Sequence, residues 1–166
     1  MRKIEALSAA LKYAEMGWSV LPVHSVINGH CTCGRTACQS PGKHPKTKNG
    51  VNNATKDASV IKEWFTKWPN SNIGIATGRP SGFIALDFDS EEGERSLNEL
   101  QSVYGGLPVT VEQLTGGGGR HILFKHPGGV IKNKVKLAPG VDIRGDGGYI
   151  LVSPSLHVSG CRYKWE

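Results

Sequence analysis

The sequence predicts an α+β domain of mixed or antiparallel sheets flanked by helices, with a zinc-stapled loop set into it. Three observations lead there. Apolar residues at helical spacing occur only before residue 105, and the later strand-like segments come in pairs split by glycines. Residues 24–56 lack apolar periodicity but carry cysteine, histidine, proline and glycine. A loop that long in a compact domain needs a staple or a function.

Along the chain, Ile4, Leu7, Leu11 and Ala14 recur at helical spacing until Gly17 stops the pattern. Trp18 to Val23 reads as a buried strand. After the loop, Asp57 is placed to cap a helix running through Trp68, with Val60, Ile61, Trp64 and Phe65 inward and Pro69 ending it. Ile73–Ala76 and Phe83–Phe88 read as strands joined by a turn at Gly78–Gly82. A helix is expected over Glu91–Tyr104, with Ser90 as a candidate cap. Strands at Thr110–Leu114 and His121–Lys125 flank a four-glycine run, and strands at Val141–Arg144 and Tyr149–Val152 flank a second glycine cluster.

The chain has 166 residues, enough for one domain with a core and short for two. We therefore expect residues 1–166 to form a single unit, with residues 24–56 as the inserted zinc-binding loop. The net charge is +6 but is unevenly spread. Residues 1–50 carry 7 basic and 2 acidic side chains, residues 51–100 carry 5 and 8, and residues 101–166 carry 8 and 4. An acidic middle between basic flanks suits a metal-holding centre with phosphate-binding surroundings, although ordinary solvated charge gives the same totals. No run approaches the ~20 apolar residues of a membrane span, and Met1–Glu15 lacks a signal-peptide core. The expectation is a cytoplasmic protein with no membrane partner, whose four cysteines are thiols or metal ligands. The final residues fall inside a strand-like segment, so a domain of a longer protein is expected.

The first chemical feature is Phe83-Ile84-Ala85-Leu86-Asp87-Phe88-Asp89, an apolar strand ending in Asp-x-Asp. Strand alternation puts Asp87 and Asp89 on one face, where two carboxylates repel unless a cation joins them. Oxygen ligands of this kind suit Mg²⁺ or Mn²⁺. Asp142 is a third acid, sharing a strand face with Arg144; it either completes the metal site, leaving Arg144 for a phosphate, or pairs with Arg144. Gly116–Gly119 followed by Arg120 and His121 offers backbone amides and cationic groups to an anion such as a triphosphate; a plain hairpin turn is the alternative. Cys31, Cys33, Cys38 and His44 make a full tetrahedral Zn²⁺ set within 14 residues, with no open position and hence a structural role. His24 and His30 are rival ligands, and Cys161 stands apart.

Together these segments resemble the bifunctional primase-polymerase family of the archaeo-eukaryotic primase superfamily. The resemblance runs in order through Gly17–Val23, the cysteine loop to Pro45, Trp68-Pro69, Asn72–Gly78, Leu86-Asp87-Phe88-Asp89, Gly117–His121 and Gly140–Gly145. It implies an archaeo-eukaryotic primase-like core and a template-dependent nucleotidyltransferase acting in DNA replication or primer synthesis. Asp87, Asp89 and Asp142 would hold two catalytic Mg²⁺ or Mn²⁺ ions, and His121 would be catalytic through the incoming phosphates. Charge and position add Arg144 and Arg120, and the glycine run adds Gly118, Gly119 and Thr115, as residues expected to bind substrate. Gly119 stands where relatives often carry a serine, so Thr115 is the candidate for that hydroxyl's contact. The implied partners are single-stranded or primed DNA, dNTP or NTP, and a downstream helicase region. Two other readings compete: a non-catalytic zinc-stabilised nucleic-acid-binding module, and a haloacid-dehalogenase-like phosphatase, which would need a parallel sheet.

Overall fold

Burial of apolar faces divides the chain between two antiparallel sheets. The computed structural model describes residues 2–166, and the side chains of all of these except residues 2–4 and Ser90. The inner-face role expected of Ile4 and the capping role expected of Ser90 lie outside the described side chains.

Helix α1 (Arg2–Glu15) buries Ala6, Ala10 and Tyr13, and Gly17 follows at φ 87°, a conformation that suits glycine. Helix α2 (Ala58–Lys67) starts as expected. The Asp57 carboxylate accepts from the backbone N–H groups of Ser59 and Val60, and Ile61 and Phe65, one turn apart, are buried. Both helices pack on a sheet of β1 (Val20–Val23), β4 (Asn72–Ala76) and β10 (Tyr149–Val152), in the order β1-β4-β10. The second sheet has six strands: β5 (Phe83–Phe88), β6 (Glu112–Leu114), β7 (Arg120–Lys125), β8 (Lys134–Ala138), β9 (Val141–Arg144) and β11 (Lys164–Trp165), ordered β11-β6-β7-β5-β9-β8. A small hairpin of β2 (Val26–Ile27) and β3 (His30–Cys31) opens the cysteine loop.

Among the described residues all pairings between named strands are antiparallel, the isolated Lys132–Asp146 bridge alone being parallel, so the sheets are antiparallel ones. The parallel sheet required by the dehalogenase-like reading is thereby excluded. The neighbouring strands expected from sequence are also re-sorted. β4 and β5 lie in different sheets, and so do β9 and β10. The glycine turns at 78–82 and 145–148 are thus crossings between sheets. Asp146 ties them together: its carboxylate accepts from the backbone N–H of Arg79 at 2.9 Å and of Ile131 at 2.9 Å.

The two faces of the six-stranded sheet do different work. Phe83, Ala85 and Leu123 join the core with α1, α2 and the first sheet. On the other face Phe88, Ile122 and Val141 pack with Leu97 of α3 (Ser90–Tyr104). Residues 24–56 run along the open edge of β1, bridging to it at Pro45 and Thr55, which closes that edge against other strands. No helix among the described residues is long and apolar enough to cross a membrane.

Candidate active site

β5 lies between β7 and β9, and their register decides which side chains meet. Asp87 sits opposite His121 on one neighbour and opposite Asp142 on the other. Because side chains alternate, Asp87, His121, Asp142 and Arg144 share the face turned toward the first sheet. Asp87, His121 and Arg144 line a cleft of about 450 Å³, together with Asp89, Thr115, Lys43, Asn133, Tyr149 and Tyr163, and Asp142 lies beside it, paired with Arg144.

Asp87 is buried. Its Oδ1 lies 3.3 Å from His121 Nε2, and its Oδ2 accepts from Arg144 Nε at 3.2 Å and Nη2 at 3.0 Å. The same Nη2 donates to Asp142 Oδ2 at 2.9 Å, and Asp142 Oδ1 accepts from the Lys136 backbone N–H at 2.8 Å. Arg144 therefore bridges two of the three acids. Burial pushes the Asp87 carboxyl up, but His121 and then Arg144 outweigh it, and the group titrates below the ordinary carboxylate range. Asp89, just past the end of β5, has no such partner. Desolvation and the charges of Asp87 and Asp142 push its carboxyl up. Tyr163, buried behind these acids, is pushed up by burial and by Asp87 and Asp89. This is a negative cluster with one arginine as its internal cation, which is the electrostatic setting a divalent ion needs. The acids stand further apart than the cysteine set. Among the described residues, only Cys31, Cys33, Cys38 and His44 bring ligand atoms all within 4.8 Å of one another.

Several expected substrate contacts are placed elsewhere. Arg120 points to the opposite face, where it donates to Glu94 of α3 at 2.6 Å and to Glu112 at 3.0 Å. The alternation that turns His121 into the cleft turns its neighbour out, so the substrate-binding role expected of Arg120 is not available in this geometry. Thr115 lines the cleft, but its hydroxyl accepts the Gly119 N–H at 3.0 Å and shapes the glycine turn. A Cβ at Gly119 would collide with the Phe88 carbonyl, so glycine is required there for packing against the end of β5. Gly118 has φ 89° and open space around it, and neither glycine lines the cleft.

In the cysteine loop the thiol sulfurs of Cys31 and Cys38 lie 3.3 and 3.5 Å from His44 Nε2. A tetrahedral Zn²⁺ with ordinary bond lengths sets such S···N separations at about 3.5 Å, so the four residues fit zinc. The Gly42 N–H donates to Cys31 Sγ at 3.4 Å, a bond that suits a thiolate. His24 stacks on the His44 ring instead of joining the set; burial and the His44 charge hold it down at about 4. His30 and Cys161 are exposed and outside the group. The loop also reaches the cleft, since Lys43 lines it and the Lys43 carbonyl accepts from Tyr149 Oη at 2.6 Å.

The sequence pattern of the bifunctional DNA primase/polymerase N-terminal family matches residues 10–166. The chain belongs to this family. Comparison with curated proteins gave no match. The prim-pol assignment spans both sheets, the cysteine loop and all three acids, and it brings primase/polymerase, nucleotidyltransferase-type activity with it as the family's general activity. Among the prim-pol residues that line or back the cleft, Gln113, Tyr149 and Tyr163 have no motif that sequence reasoning can use, and Lys43 lies in the cysteine-loop motif without a role read from it. Gln113 stands in an unremarkable Glu-Gln-Leu strand, and only the register with His121 gives it meaning.

Proposed function

We propose that this prim-pol domain is a template-dependent nucleotidyltransferase, a DNA polymerase and/or primase, working through a divalent-metal site formed by Asp87, Asp89 and Asp142. The observation that carries this reading is the strand register that sets Asp87 between His121 and Asp142 at a cleft of about 450 Å³. Mg²⁺ or Mn²⁺, when bound, would supply charge neutralisation and an activated primer hydroxyl. The protein's own groups do the rest. Asp87 and Asp142 are held by adjacent strands, so their spacing is rigid. Arg144, which now offsets both acids, is placed to offset charge on a triphosphate instead. His121 Nε2, 3.3 Å from Asp87 Oδ1, is the second cationic-capable group at that acid, after Arg144. Lys43, from the zinc-stapled loop, adds positive charge on the opposite wall. Single-stranded or primed DNA and dNTP or NTP are the substrates, and zinc is structural.

The test is extension of a labelled primer on a template with Mg²⁺ or Mn²⁺. Asp87→Ala and Asp89→Ala should abolish extension while template binding survives. A second reading is favoured by one observation, the closed Asp87–Arg144–Asp142 ion-pair set, which suits a zinc-stabilised nucleic-acid-binding module without catalysis. Wild-type protein that binds template yet extends nothing with either metal would establish that reading instead.

A further inference from the structure

Gln113 is completely buried in β6, directly opposite His121, and both its amide oxygen and its amide nitrogen are engaged. Its Oε1 accepts from the Ser153 backbone N–H at 2.9 Å. Its Nε2 donates to the Leu151 carbonyl at 2.8 Å. The same nitrogen meets His121 Nδ1 at 2.9 Å. The amide orientation is fixed here by chemistry. A backbone N–H can only donate and a backbone carbonyl can only accept, so the oxygen must face Ser153 and the nitrogen must face Leu151. The second N–H of the Gln113 amide is then aimed at His121 Nδ1, which must accept it. A neutral imidazole that accepts at one nitrogen carries its proton on the other. That other nitrogen, Nε2, lies 3.3 Å from Asp87 Oδ1.

We infer that Gln113 is a positioning residue that holds His121 as its Nε2–H tautomer, so that the single N–H of the ring points into the acid cluster. The inference rests on the nucleotidyltransferase reading only for its consequence: the N–H that now serves Asp87 is the one available to a phosphate oxygen of the incoming nucleotide. The device spans the two sheets. Gln113 belongs to the six-stranded sheet, while Leu151 lies in β10 of the three-stranded one and Ser153 directly follows it. The relative placement of the sheets therefore fixes the proton position on the histidine between them. A wrong tautomer would leave a buried donor facing a donor at Nδ1 and a lone pair facing a carboxylate at Nε2, and each mismatch is costly in a buried site.

Nitrogen-15 NMR of the histidine ring tests this directly. It is run on the zinc-loaded wild-type protein above the ordinary imidazole pKa, with His121→Gln used to assign the signal. The expected spectrum shows Nε2 protonated and Nδ1 bare. A protonated Nδ1 overturns the inference, whatever the protein's activity. Gln113→Met, checked for an intact melting transition, should give a mixture of tautomers and raise the nucleotide KM by about tenfold, the scale of one lost hydrogen bond. An unchanged tautomer or an unchanged KM in that folded variant also overturns it. Should Gln113→Met not fold, the wild-type spectrum alone decides. The expected tautomer in a protein that extends no primer would leave Gln113's role standing and remove the polymerase reading.

Discussion

Among the described residues Asp89, unlike its two fellow acids, makes no ion pair, and this separates its stability role from that of Asp87. Its carboxyl is raised, so the folded protein holds that proton more tightly than the unfolded chain does. Stability from this group is therefore gained as the pH falls through its raised value and is absent above it. Asp87 has the opposite sign: its lowered value gives stability that is full above the unfolded carboxylate range and lost as the pH falls through its folded value. Asp89→Asn should thus raise the melting temperature of the metal-free protein near neutral pH while abolishing extension, as calorimetry and a primer assay would show. Mn²⁺ affinity of the wild type, followed by titration at several pH values, should weaken on acidification from above the ordinary carboxylate range. Gly119 carries a second residue-scale prediction. Gly119→Ser adds a hydroxyl beside the cleft, yet its Cβ would strike the Phe88 carbonyl. The variant should lose about 1–3 kcal/mol in urea denaturation and extend primers less well than wild type. The acids were legible because Asp-x-Asp at a strand end is a local signal. Gln113 and Arg120 were not, because their orientation depends on register with strands far along the chain.

The cysteine loop is the element whose role the structure enlarges. Its ligand set was legible from residue type and spacing alone. Its path along β1 and its contact with Tyr149 were not, since a segment without apolar periodicity carries no sign of which edge it will cover. Zinc in this set would stabilise the folded state by linkage, because the unfolded chain does not hold the four ligands together. Metal analysis of the folded protein should find zinc equimolar with the chain, and Cys31→Ser should lower both the zinc content and the melting temperature. Helices α1 and α2 were legible to within a few residues, because a 3.6-residue apolar period and an Asp cap are written in consecutive positions.

Across the whole molecule, two of the three strand pairs expected from sequence divide between sheets, while β6 and β7 pair as expected. β4 and β5, and β9 and β10, are separated by short glycine turns that resemble hairpins on the page. What distinguishes them is Asp146, which bonds both crossings at once, a long-range arrangement with no local signature. The division is what creates the cleft, since its floor comes from one sheet and its wall from the other. Charge at this scale favours a polyanion, with a net +6 whose acidic centre lies between basic flanks. Template affinity should fall linearly in log–log form with salt. A footprint of ~6 phosphates would lose about 10³ in affinity between ~50 and ~200 mM, measured by fluorescence anisotropy.

The bond from Tyr149 to the Lys43 carbonyl has a practical consequence for the biochemist. A wall of the cleft is a stretch of backbone beside the cysteine and histidine set, while its floor carries Asp87 and Asp89. On the proposed reading, a chelator that quenches the reaction would remove two ions of different chemistry, the zinc of the cysteine set and the divalent ion of the carboxylates. Restoring Mg²⁺ alone after such treatment would return the floor but not the wall. Rescue that needs zinc first and magnesium second would expose the collapse of a binding surface that an assay of metal dependence would otherwise record as lost chemistry.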